Sequence, residues 1–190
     1  MRPSYQAAYD AGRERLIVVG TEGETWEFDG NQRLHRHNMS PALLTQRSRG
    51  VMAANSVKGH VLLFGGSDVT GFLADTWIWN GAGWAHITDI PSPPARHDAA
   101  MTFDTQREVF VLYGGQGTAG LHYDTWEYDG TGWHQANTPT PPDEPRGRMV
   151  FDTNRNVSVM VAPRGTVGQP IGLYEFDGSD WTERSPSGSW

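Results

Sequence analysis

The chain carries Thr76-Trp77-Ile78-Trp79-Asn80-Gly81, and the phrase returns as Thr125-Trp126-Glu127-Tyr128-Asp129-Gly130 and as Thr25-Trp26-Glu27-Phe28-Asp29-Gly30. A weaker copy is Leu173-Tyr174-Glu175-Phe176-Asp177-Gly178. The glycines at positions 30, 81, 130 and 178 lie 51, 49 and 48 residues apart. A period of about 50 residues marks a chain assembled from one supersecondary unit, which buries its faces against copies of itself. Other positions keep the same register. Gly65-Gly66 becomes Gly114-Gly115, whereas the first and fourth copies have Gly20-Thr21 and Ala162-Pro163. Trp84, Trp133 and Trp181 follow the turn glycine at one offset, with Leu34 nearby in the first copy. Asp10, Asn55, Asp104 and Asp152 mark an earlier turn with spacings of 45, 49 and 48, so the first copy is shorter by about one loop.

Each copy reads as four short strands. In the third they are expected at 97–103, 108–113, 124–128 and 132–135, where β-branched and aromatic residues suit a half-buried pleated surface. Asp-Gly or Asn-Gly between the third and fourth strands predicts a tight type I′ hairpin, with positive φ at both central residues. Pro-rich segments at 91–94 and 139–145 cannot continue a ladder and read as links between copies. A repeated four-stranded unit of this length is the signature of a β-propeller blade. The expectation is an all-β single domain over residues 1–190, with blades near 2–41, 47–91, 96–139 and 144–185.

Composition agrees. The 190 residues include 8 Trp, 23 Gly and 12 Pro, a profile that helical domains avoid. No run approaches the roughly 20 apolar residues of a membrane-spanning helix, and the first ten residues lack the apolar core of a signal peptide. A soluble protein is expected, its compartment open. The formal net charge of −7 argues against a nucleic-acid partner, which would require a basic stripe. With no cysteine, disulfides and thiolate chemistry are excluded.

A hydrophobic strand ending in Gly-Gly and followed by a spaced aromatic pair resembles a kelch repeat. Val61-Leu62-Leu63-Phe64-Gly65-Gly66 with Trp77 and Trp84 carries the resemblance, and residues 109–113 with Gly114-Gly115, Trp126 and Trp133 carry it again. It extends over essentially the whole chain, to bacterial-type kelch repeats and the superfamily of the galactose oxidase central domain. It implies a kelch-type propeller, which in the family closes with six or seven blades; here there are four. The chain therefore forms a closed four-bladed ring, half of an eight-bladed ring made by a homodimer, or a fragment of a larger ring. An open arc would expose two apolar sheet faces.

Eight places before the first-hairpin residue stand Arg2, Arg47, Arg96 and, in the fourth copy, Glu144; two places later come Arg49 and Arg146. In a propeller these positions start the innermost strands and ring the mouth of the central channel. The loops 67–74, 116–123 and 164–170, the last with Arg164, are expected at the same rim, Gly-rich and adaptable. In kelch adaptors similarly placed arginines grip acidic peptides, and guanidinium forks match carboxylate geometry. The competing structural reading pairs these arginines with aspartates of neighbouring blades, such as Asp75, Asp98 or Asp124, and with loop carbonyls.

His97 beside Asp98 and His122 near Asp124 also fall at the rim. No nucleophile stands at recognisable spacing from either, so no catalytic residue is assigned. His35 and His37 share one side of a strand, but no third ligand completes a metal set. No cofactor is expected: without cysteine the copper site of galactose oxidase is excluded, and the Glu/Asp/His iron pattern of plant specifier proteins is missing. The in-register Trp26, Trp77, Trp79 and Trp126 read as packing between blades. The function expected is a non-catalytic scaffold whose rim, through Arg2, Arg47, Arg49, Arg96, His97, His122, Arg146 and Arg164, binds an acidic protein segment or a small anion. The alternatives are an enzyme of isomerase or lyase type at the same rim, and a propeller fragment with no ligand of its own.

Overall fold

The computed structural model describes residues 5–31, 34–37, 44, 46–88, 90–163 and 171–184. Four antiparallel meanders make a four-bladed β-propeller, and the described residues contain no helix. The first blade is β1 (Gln6–Asp10), β2 (Arg15–Val19), β3 (Thr25–Phe28) and β4 (Leu34–His37). The second is β5 (Val51–Asn55), β6 (His60–Ser67), β7 (Phe72–Trp79) and β8 (Trp84–Ile87). In the third, β9 (Ala100–Asp104) and β10 (Val109–Tyr113) are followed by a small hairpin, β11 (Gln116–Gly117) and β12 (Gly120–Leu121), then β13 (Thr125–Tyr128) and β14 (Trp133–Ala136). The fourth is β15 (Arg148–Asp152), β16 (Val157–Ala162), β17 (Gly172–Phe176) and β18 (Trp181–Glu183). The first strands β1, β5, β9 and β15 pack one beside the next, innermost in their blades.

Both turn families follow from one acidic or amide side chain. Asp104 Oδ1 accepts from the N–H groups of Gln106 and Arg107, its Oδ2 accepts from Arg107 Nε at 2.7 Å, and the loop leaves through Glu108 at φ 55°. Asp10 and Asp152 do the same with Arg13 and Arg155. The second turn differs from the two-residue type I′ expectation. Between the paired Trp79 and Trp84 lie four residues, and only Gly81 takes positive φ, at 92°. Asn80 Oδ1 accepts from the N–H groups of Ala82 and Gly83, so the side chain closes the loop without its own backbone turning left-handed. Asp129 and Asp177 repeat this.

Three apolar cores hold the blades together. Ile17 and Val19 of blade 1 meet Leu63, Trp77 and Trp79 of blade 2. Leu62 and Phe64 meet Met101, Tyr128 and Trp133 of blade 3, and Val111 and Tyr113 meet Met160, Phe176 and Trp181 of blade 4. Each core carries one buried polar tie: Trp84, Trp133 and Trp181 donate their indole N–H to Thr25, Thr76 and Thr125 of the preceding blade, at 2.8, 2.9 and 2.8 Å. The described residues form no fourth core between blades 4 and 1. The glycine doublets serve the same seams. Gly115 donates to Pro145 O at 2.7 Å, with φ 98°, and a Cβ on its neighbour Gly114 would lie 2.1 Å from that carbonyl. Only glycine lets the next link approach so closely.

Candidate functional site at the channel mouth

The starts of the four innermost strands enclose a cavity of about 450 Å³. Repeat register explains its lining. Met52, Met101 and Met149 stand at one repeat position and Gln6, Val51, Ala100 and Arg148 at the next one before it, so the wall is a ring of equivalents. The three thioethers are buried in the seam cores and back this wall from behind. The charged groups of the lining are Arg49, Asp98 and Arg148, two cations to one anion on a chain whose net charge is −7.

Arg49 and Asp98 occupy one repeat position in successive blades and both take left-handed backbone, at φ 60° and 55°. Such conformations cost about 1–3 kcal/mol and persist where the surroundings hold them. Here Asp98 N donates to Arg49 O at 3.0 Å, which ties blade 3 to blade 2. The Arg49 guanidinium forks onto the Asp98 carboxylate, with Nε at 3.0 Å from Oδ1 and NH2 on Oδ2. Its NH1 lies 3.0 Å from His97 Nε2. Arginine has only protons to give, so Nε2 accepts and the ring proton is assigned to Nδ1. Burial, and then the Arg49 charge, hold His97 below the usual imidazole range, outweighing the opposite pull of Asp98. His97 is therefore neutral at pH 7, its ring 4.9 Å from that of Phe72 on blade 2.

Arg47 and Arg96 follow the structural reading rather than the ligand-binding one, but pair with aspartates of their own blades instead of neighbouring ones. Both are buried: Arg47 forks onto Asp75 at 2.9 and 2.6 Å, and Arg96 onto Asp124 at 2.5 and 2.9 Å. Each also donates to a carbonyl of its own blade's glycine doublet, Gly65 O and Gly114 O. The same aspartates accept the indole N–H of Trp77 and Trp126, so each Arg–Asp–Trp set locks one blade from inside. Arg146 is exposed, with Glu144 3.7 Å away. His122 is half-buried, held below the usual range by burial and then by Arg96. Arg2 and Arg164, with the loop 164–170, lie outside the described residues.

The remaining rim segments are more regular than expected of adaptable loops. β6 and β7 run almost to the tip, which Asp68 closes by accepting from Thr70 and Gly71, and 116–123 folds into β11 and β12. The inner strand of blade 3 starts at Ala100 rather than 97, because the left-handed turn at Asp98 breaks extended geometry after His97 bridges to Gln116. Sequence reading missed Arg148. It stands four places before the first-hairpin aspartate, where the other copies have Gln6, Val51 and Ala100, and that departure from the repeat was its signal.

Arg148 NH1 donates to Gly147 O at 3.2 Å, and among the described residues Arg148 makes no ion pair. Among those residues no group of three or more His, Asp or Glu side chains is close enough to hold a metal ion, and no helix is long and apolar enough to cross a membrane. Neither a family model nor a curated protein matches the chain.

Proposed function

We propose that the chain is a non-catalytic binding scaffold whose channel mouth takes an anionic group, carried by an acidic protein segment or a small molecule. The observation that carries this reading is Arg148, an exposed cation on the cavity wall without an ion pair among the described residues. Arg49 stands on the same wall, its charge shared with Asp98, and Arg146 adds a third exposed cation beside it. A carboxylate entering between Arg49 and Arg148 would receive charge-assisted hydrogen bonds. The repeat itself reads as kelch-type, supported by Gly65-Gly66 and Gly114-Gly115 at blade seams and by the Trp pairs that follow them.

The test is fluorescence anisotropy with labelled Glu/Asp-rich peptides, compared with charge-matched Lys-rich controls. Acidic peptides are expected to bind and to weaken with added salt. Arg148→Ala is expected to cost about tenfold, the equivalent of one charge-assisted bond of about 1.5 kcal/mol. Equal binding of both peptide classes, or an Arg148→Ala affinity equal to wild type, overturns the reading.

A further inference from the structure

The three internal seams share one polar tie, and two of them also carry a charged set that returns on the outer face of blade 4. On the faces that blades 1 and 3 turn to their successors, an Asp–Arg–Glu set recurs, whereas blade 2 has Asn55, Lys58 and Ile78 at those places. Arg13 bridges Asp10 and Glu27 in blade 1, and Arg107 bridges Asp104 and Glu127 in blade 3. The successor brings an aromatic ring to that set: Trp79 donates to Glu27 at 3.0 Å, and Arg107 lies 5.5 Å from the Phe176 ring centroid. Blade 4 carries the same set, Arg155 with Asp152 and Glu175, yet Arg155 is 53% exposed where Arg13 and Arg107 are 26% and 30%.

Around that set the outer face of blade 4 is apolar. Val150, Val159, Val161 and Leu173 share it by pairing register, and Val150 is 64% exposed. At the other end, blade 1 presents Tyr9, Leu16, Val18, Trp26 and Phe28, the register equivalents of the blade 2 residues that fill the first core. Tyr9 is 59% exposed. Phe28 stands at the position of Trp79 and Phe176, the rings that meet an Asp–Arg–Glu set.

The polar tie is altered on both faces at once. Leu173 stands where Thr25, Thr76 and Thr125 accept an indole N–H, and Leu34 stands where Trp84, Trp133 and Trp181 supply it. A change on one side alone would bury an unpaired hydroxyl or N–H, whereas here both repeat positions have changed to leucine together. Ala162-Pro163 likewise replaces the glycine doublet, so this face offers no backbone N–H where Gly66 and Gly115 donate to the next blade.

We infer that the outer face of blade 4 docks on the outer face of blade 1 of a second copy of this chain. Made twice, this head-to-tail contact closes a two-fold ring. The inference stands apart from the binding reading, since none of these residues lines the cavity.

Two experiments test it. Size-exclusion chromatography with light scattering is expected to give twice the 21.0 kDa chain mass, and Val150→Glu, at an exposed position, is expected to halve it with an unchanged circular dichroism spectrum. A wild-type mass of one chain overturns the inference, as does a Val150→Glu protein that keeps the doubled mass. Because the chain has no cysteine, differently tagged Leu34→Cys and Leu173→Cys copies can be co-expressed and treated with a short bismaleimide. A covalent dimer carrying both tags is expected. Dimers of one tag only, no dimer, or an internal link in the double variant without dimer contradicts head-to-tail docking.

Discussion

Trp133 of blade 3 donates its indole N–H to Thr76 Oγ1 of blade 2 across 2.9 Å, inside a core from which water is excluded. Within that apolar core the bond fixes the angle between the two sheets, which also meet at the rim through Asp98 N and Gly66 N donating to Arg49 O and Arg96 O, respectively. Its counterparts at Thr25 and Thr125 show that each blade is aimed by its predecessor. Thr76→Val keeps the volume and strands the N–H, so a loss of about 1–3 kcal/mol is expected. Trp133→Ala removes the packing as well and should cost about 3–5 kcal/mol. Urea denaturation of both variants checks this, and an unchanged midpoint for Trp133→Ala would contradict the packing role.

Arg96 and Arg49 should separate sharply in the same assay. Removing the buried Arg96 leaves Asp124 uncompensated, so Arg96→Ala is expected to lose about 3–5 kcal/mol. Arg49 is solvent-exposed, and Arg49→Ala should cost less than about 1 kcal/mol. Similar losses for the two would mean that the pairs do not differ as their burial implies.

Acid should reveal the same buried set. Burial alone would raise the Asp124 carboxyl, but the hydrogen bonds from Arg96 and Trp126 outweigh it and hold the group below the ordinary range. Its contribution is thus present above the unfolded value of about 3.9 and is lost as pH falls through the lower native value. Asp124→Asn should flatten the stability curve in that window, measured by urea midpoints at successive pH values. A slope identical to wild type would contradict the pairing.

The repeat made most of the architecture legible. The Thr-Trp phrase, the Asx turns and the glycine doublets are local signals, and all four blades stand where they pointed. The burial of Arg47 and Arg96 was harder to see, because Asp75 and Asp124 are 28 residues further along the chain. A trace was present nonetheless. Arg and Asp occur together in the second and third copies, and both are missing from the fourth, where Glu144 and Gly172 hold the places. The strand start at Ala100 was not legible, since positive φ at Asp98 comes from its blade-to-blade contact with Arg49 rather than from local propensity. Arg148 stood in plain view but outside the register on which attention to arginine was fixed.

Histidine should contribute a second pH dependence, of the same sign as that of Asp124 but nearer neutrality. Burial and Arg49 hold His97 below about 6.5, so the unfolded chain binds more protons between the native and unfolded values. Stability then falls as pH drops through about 6.5, and protonation also removes the acceptor for Arg49. His97→Gln should flatten the urea midpoint between about pH 7 and pH 5, with His122→Gln adding an effect of the same sign. A wild-type protein that gains stability on acidification across this window would contradict the assignment.

The account places ligand binding in the cavity at the channel mouth, and the chain's own methionines report on it. All four described methionines are buried in seam cores, but Met52, Met101 and Met149 also back the cavity wall, whereas Met160 does not. The most direct measurement is a titration of 13C-methyl-methionine protein with a hexaglutamate peptide, followed by methyl NMR. The predicted result is saturable movement of the Met52, Met101 and Met149 resonances with Met160 fixed, needing about tenfold more peptide in Arg148→Ala. Movement of Met160 alone, or no movement of the three cavity methyls at saturating peptide, would contradict the binding site.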